Sequence, residues 1–232
     1  MGIPLYLAMT ASELSAADSL PERIGWMACH FSAYGSGLSN FPASLPPDSL
    51  LIVNDRIPIF GHDPAVICKQ IQKLLTQFDL KRILLDFQRP GEAETEALVA
   101  HLTQQLPCIT AVSEGYAGKG DYPVFLPPPA LHCPLNEYLQ PWKGREIWLE
   151  AATACAGYTV TQEGCRIHPE LFVDDDTLPH EDNALHCRYG LEIQDTSAHF
   201  LLQRGKKEVD TLLKEAQALG VTAAVGLFQD LG

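Results

Sequence analysis

The chain has 232 residues, 46% of them hydrophobic and 19% charged, with a formal net charge of -13. This composition supports a sizeable core and excludes the low-hydrophobicity, high-charge signature of disorder. The acidic balance and the lack of any Lys/Arg run set nucleic acid and anionic membranes aside as partners, and leave neutral sugars open.

Short apolar runs recur along the chain. They are Pro4 to Met9, Trp26 to Cys29, Leu50 to Val53, Ile83 to Leu85, Cys108 to Val112, Val124 to Leu126, Glu146 to Glu150 and Thr222 to Phe228. Runs of this length fit strands buried on both faces, as a parallel sheet requires. Three helices are predicted between them. The first covers Pro64 to Phe78, with Asp63 as its N-cap. The second covers Glu92 to Leu106 and is stopped by Pro107. The third covers Lys206 to Leu219, with Gly220 as its C-terminal cap. Each is followed by a buried run, which is the βαβ rhythm of a parallel sheet. The rhythm lapses in residues 31 to 49 and at Pro127-Pro128-Pro129.

The expected fold is therefore α/β, an irregular TIM-like (β/α)8 barrel forming one domain over 1–232. A doubly wound open sheet is the alternative. Residues 157 to 203 read differently: they alternate apolar and polar residues and carry turn signals at Gln162-Glu163-Gly164 and Asp195-Thr196-Ser197. They predict a small antiparallel insertion after the seventh strand. Asp174-Asp175-Asp176 is expected as a solvated loop within it.

Polar residues collect directly after several of the apolar runs. In a parallel barrel such positions line the C-terminal mouth, where active sites sit. The segment Ile83 to Gln88 resembles the fourth strand of chitinase-like family 18 glycoside hydrolases, which carries alternating acids, Asp-x-Asp-x-Glu. Only every second strand residue points inward. The matching positions are Leu84, Asp86 and Gln88, so only the central acid is kept. The resemblance extends to the insertion after the seventh strand and to Leu227-Phe228 at the end of the eighth, where the family commonly places a Trp. The family's Tyr-Asp pair on the sixth strand is replaced by Phe125-Leu126-Pro127.

The resemblance implies an activity and a departure from it. In the family the substrate's acetamido group is the nucleophile and the terminal Glu protonates the leaving oxygen. Gln88 has no proton of suitable acidity. Hydrolysis then needs another carboxylate, or the barrel binds carbohydrate without cleaving it. Asp86, Glu114 and Glu150 are the candidate catalytic residues. Substrate-binding candidates are His30, Tyr34, Asp55, Gln88, Tyr116, Phe228 and Asp230. Of the strand-embedded aromatics, Trp148 and Phe228 read more readily as core.

A third reading is a barrel enzyme acting on an anionic or phosphorylated metabolite through His30, Arg56, Arg89 and the loop Tyr34-Gly35-Ser36-Gly37. No complete dinucleotide fingerprint is present, and Gly115 to Gly120 lacks the Walker spacing. His132, Cys133, His180, His186 and Cys187 supply ligand types without zinc spacing, so neither a metal nor another cofactor is expected. The implied ligand is a small molecule or an oligosaccharide. The seven cysteines are scattered with no Cys-x-x-Cys pair, and neither a basic leader nor a membrane-length apolar run is visible, so the expected location is the cytoplasm.

Overall fold

The structure is a computed structural model and describes residues 2–33, 37–57, 61–89, 91–118, 120–173 and 177–232. In chain order its elements are β1 (Leu5–Met9), α1 (Ala11–Ala16), β2 (Ile24–Phe31), β3 (Leu38–Ser39), β4 (Leu50–Asn54), α2 (Pro64–Phe78), β5 (Arg82–Asp86), α3 (Ala93–Gln105), β6 (Ile109–Ser113) and β7 (Val124–Leu126). There follow α4 (Leu135–Leu139), β8 (Ile147–Ala151), β9 (Ala154–Thr161), β10 (Gly164–Pro169), β11 (His180–Asp182), β12 (Cys187–Gln194), β13 (Ser197–Arg204), α5 (Lys206–Ala218), β14 (Val221–Leu227) and α6 (Phe228–Leu231).

Eight strands, β1, β2, β4 to β8 and β14, pair in parallel, and β1 bonds to β14 on one side and to β2 on the other. That double pairing closes the sheet into a barrel and rules out the open doubly wound alternative. All eight apolar runs read from the sequence are these barrel strands. The closure is tight: a Cβ on Gly25 of β2 would stand 2.9 Å from Ile52 Cδ1 and 3.3 Å from Ala8 Cα. Glycine gives that approach without any shift of Ile52 or Ala8.

Alternation along the strands separates two cores. Tyr6, Ala8, Leu50, Ile52, Leu84, Ala111, Phe125, Trp148, Ala223 and Val225 form one cluster that fills the barrel interior. On the outside, α2 and α3 lay Ile67, Ile71, Leu98 and Leu102 against Leu51, Val53, Ile83 and Leu85. The predicted helices are found within a residue of their expected ends. Asp63 accepts from Ala65 N at 2.8 Å and so caps α2, whose Pro64 needs no donor partner. Leu106, extended before Pro107, ends α3. Gly220 follows α5 with φ 93°, a conformation that glycine adopts freely.

The insertion is a five-stranded antiparallel sheet of order β10-β9-β13-β12-β11, placed between β8 and α5. Tyr158, Cys187 and Leu202 on one face pack on Leu131, in the loop after β7. Arg204, fully buried, joins insertion to barrel. Its guanidinium donates to Pro129 O at 2.9 Å, Leu185 O at 3.1 Å and His186 O at 3.2 Å. The Asp174-Asp175-Asp176 loop lies outside the described residues.

Sequence periodicity misses the short elements. Helix α1 is held by a capping box, in which Thr10 N donates to Glu13 Oε2 at 2.7 Å and Glu13 N to Thr10 Oγ1 at 3.3 Å. Strands β3 and β11 are too short to show alternation. All seven cysteines carry free thiols, and no described helix is long and apolar enough to cross a membrane.

Candidate functional site

Strand β5 sets the site. Leu84 lies in the interior cluster while Ile83, Leu85 and Phe87 belong to the outer core. Asp86 and Gln88 therefore continue the inward-facing series beyond the last apolar layer. Gln88 Nε2 donates to Asp86 Oδ1 at 2.5 Å, and Ser113 Oγ, at the end of β6, stands 3.3 Å from the same oxygen. Asp55, only 5% exposed, accepts from Gln88 N at 3.0 Å and fixes the strand end from the neighbouring β4.

Glu150, the penultimate residue of β8, faces the same space. It shares a cavity of about 120 Å³ with Asp86, Gln88, Phe125, Met27 and Leu227. An adjoining cavity of about 210 Å³ is lined by Gln88, Ser113, Glu114, Phe125, Pro127 and Glu150. Gln88, Phe125 and Glu150 are common to both. The mouth is thus a continuous hollow with an apolar floor and a carboxylate rim.

Burial pushes the Asp86 carboxyl above the usual range, the hydrogen bonds from Gln88 and Ser113 pull it back, and the nearby Asp55 charge pushes it up again. Burial also raises Glu150, followed by the charges of Asp86 and Asp230. Among the described residues Glu150 takes no hydrogen bond, and none of Asp55, Asp86, Glu114, Glu150 and Asp230 forms a salt bridge. A rim of carboxylates without counter-ions repels anions. It also leaves acceptors free for the hydroxyl and amide donors of a ligand.

The other sequence candidates are distributed as follows. Glu114 is exposed at the edge of the larger cavity. His30, at the end of β2, has Nδ1 2.7 Å from Phe31 O and Nε2 2.8 Å from Asn40 Nδ2. Tyr116 is buried in the outer core, where its hydroxyl donates to Arg89 O and its ring meets Phe87 edge-on. Phe228 opens α6, and its predecessor Leu227 is the residue that lines the hollow. Asp230 lies on the rim beyond β14, lining a separate groove. Tyr34 lies outside the described residues. Trp148 is core, 1% exposed.

For the anion-loop reading, Gly37 N donates to His62 Nδ1 at 3.1 Å, and Arg89 donates to Arg56 O at 3.4 Å. Among the described residues no three His, Cys, Asp or Glu side chains are grouped to hold a metal ion.

Among the lining residues that escaped the sequence reading are Ser113, Phe125 and Met27. Ser113 and Phe125 have a signal, because counting by twos from Ala111 brings Ser113 inward, and an aromatic between Val124 and Leu126 points opposite to both. The irregular register of β2 between Trp26 and Cys29 hides Met27.

No family model and no curated protein matches the sequence. Solved structures do match in fold. A family 18 chitinase from Cycas revoluta, solved as a double mutant in complex with (GlcNAc)4, superposes with a TM-score of 0.59 at 11% identity, covering 97% of this chain and 94% of that one. The chitinase-like agglutinin of Robinia pseudoacacia gives 0.56 at 10%, covering 99% and 96%. The spore cortex-lytic enzyme SleL of Bacillus cereus gives 0.56 at 9%, covering 99% and 71%. The chain has the barrel fold of the chitinase-like family 18 glycoside hydrolases, in a divergent form.

Proposed function

We propose that this chain binds an oligosaccharide of the N-acetylglucosamine type in the mouth of its barrel. Asp86 and Glu150 are the carboxylates that meet the ligand, Gln88 is a neutral hydrogen-bonding partner, and Phe125 is the apolar floor. The observation that carries this reading is the convergence of Asp86, Gln88, Phe125 and Glu150 on one hollow. The fold supports it, since a chitinase of this architecture is described in complex with (GlcNAc)4 and another such barrel is an agglutinin.

Gln88 decides between binding and turnover. Standing at the inward position where the resembling family has its acid, it accepts and donates hydrogen bonds but supplies no proton. The chain is then a saccharide-binding barrel with a hydrolase-like site. Calorimetric titration with (GlcNAc)4 tests this. Wild type is expected to bind without releasing new reducing ends, and Glu150→Gln to bind about tenfold more weakly. Equal binding by both, or binding by neither, counts against the mouth as the site.

A second reading is favoured by one observation, the upward shift of Glu150 by burial and by its acidic neighbours. A carboxyl that holds its proton more tightly than an ordinary one suits a general acid. Glu150 would protonate the leaving oxygen while the Asp86 carboxylate orients the substrate. Reducing-end release by wild type, abolished in Glu150→Gln, would establish it.

A further inference from the structure

The insertion sheet has one apolar and one polar face. Tyr158, Cys187 and Leu202, on β9, β12 and β13, pack on Leu131 of the barrel. Counting by twos from these residues carries the same face outward, past the barrel contact. There Ile167, Tyr158, Phe200 and Leu191 stand in register across β10, β9, β13 and β12, and one step further out Cys165, Val160, Ala198 and Ile193 do the same. Both rows are apolar throughout. The opposite face carries Thr159, Arg166, His168, Glu192, Gln194 and His199. An antiparallel sheet buries its apolar face and solvates its polar one. Here only the inner half of the apolar face is covered. Val160, Leu191, Ile167 and Ile193 are 40%, 42%, 58% and 75% exposed, and Cys165 is exposed among them.

Area, shape and charge fit this face to a second copy of the chain. The exposed side chains present roughly 400 Å² of apolar surface, a patch of a size that is often functional. Two such faces with their polar rims reach the roughly 1,000 Å² of a specific interface. Ala198 lies between Val160 and Ile193, a dip between two knobs. A two-fold axis sets Ile193 of each copy over Ala198 of the other, with the two sheets stacked about 10 Å apart. Neither row holds a charged residue. Two copies of a chain with net charge -13 repel each other, and least across such a face. The contact would extend an interface that the sheet already makes with the barrel.

We propose that the chain forms a two-fold dimer by packing the outer halves of two insertion sheets face to face. Glu163 and Asp195, in the turns after β9 and β12, give the contact an acidic rim, so the dimer tightens as salt rises. The test is sedimentation velocity at about 100 µM of wild type, Ile193→Lys, Ile167→Lys and, on the polar face, Glu192→Lys. Ile193 and Ile167 are exposed, so lysine at either leaves the monomer fold intact, which circular dichroism checks. Wild type and Glu192→Lys are expected at twice the mass of the chain. Each isoleucine variant is expected at the mass of one chain, its association weakened at least about tenfold. Wild type sedimenting as one chain, even at about 0.5 M salt, overturns the proposal, as does a dimer that survives both isoleucine substitutions. Binding of a monomeric wild type to phosphatidylcholine vesicles, lost in Ile193→Lys, would make the occupant of the face a bilayer instead.

Discussion

Gln88 and Asp86 stand two residues apart on the inward face of β5, and the Gln88 amide donates to Asp86 Oδ1 at 2.5 Å. The amide neutralises nothing, yet it orients the carboxylate, and in the proposed reading it stands where the resembling family has its acid. Gln88→Glu is therefore expected to introduce reducing-end release from (GlcNAc)4, on the order of 10²-fold above wild type, as a positioned acid contributes. The check is a reducing-sugar assay beside a binding titration. Unchanged release with binding intact would mean that Gln88 does not stand where a leaving oxygen arrives.

Glu150 carries a pH signature. Its folded-state carboxyl is held above the ordinary value by burial, Asp86 and Asp230. From the unfolded value of about 4 upward to the raised folded value, the native state binds more protons than the unfolded one, so this contribution to stability falls as pH rises. Glu150→Gln removes the charge and the repulsion with it. The variant is expected to melt about 2 °C above wild type at pH 7, and the gap is expected to close toward pH 4. Differential scanning fluorimetry across that range reads it. A lower melting point at pH 7 would contradict the assignment of Glu150 as an unpaired carboxylate.

Much of the fold was legible because parallel barrel strands are buried on both faces and read as unbroken apolar runs, such as Leu50 to Val53. The site was legible only where alternation was applied. On β5 it selects Asp86 and Gln88, which line the hollow. On β4, counting from Leu50 and Ile52 selects Asn54, whose side chain donates to Met27 O at 2.9 Å. Taking the strand-end acid instead selects Asp55, which anchors the Gln88 backbone. Tyr116 shows the same limit: a residue just past a strand turns with its loop, and the loop here carries it into the outer core.

Among the described residues Arg204 has no carboxylate partner, and it satisfies three backbone carbonyls from two parts of the fold. Arg204→Met keeps the apolar stem and loses all three bonds, leaving buried acceptors unpaired. The expected loss is about 3 kcal/mol in urea unfolding. Arg204→Lys should recover little, since an ammonium cannot reproduce the fork. A change below about 0.5 kcal/mol in either variant would show that the insertion is held by apolar contact alone.

Gly226 sits where β14 passes β8 at the rim. A Cβ there would stand 2.7 Å from Ala151 O and 2.5 Å from Leu231 Cδ1. Since Ala151 O is backbone, the strand pair must shift. Gly226→Ala is expected to cost about 2 kcal/mol by thermal or urea unfolding and to weaken saccharide binding by disturbing Leu227 and Glu150. Wild-type stability in this variant would mean that the rim adjusts more freely than its packing indicates.

The convergence of the inward β5 and β8 side chains on a sugar is tested most directly by a crystal structure with (GlcNAc)4. The account predicts saccharide density in the hollow over Phe125, within hydrogen-bond distance of both Asp86 and Glu150. A saccharide seated elsewhere on the protein, with that hollow holding only solvent, would contradict it.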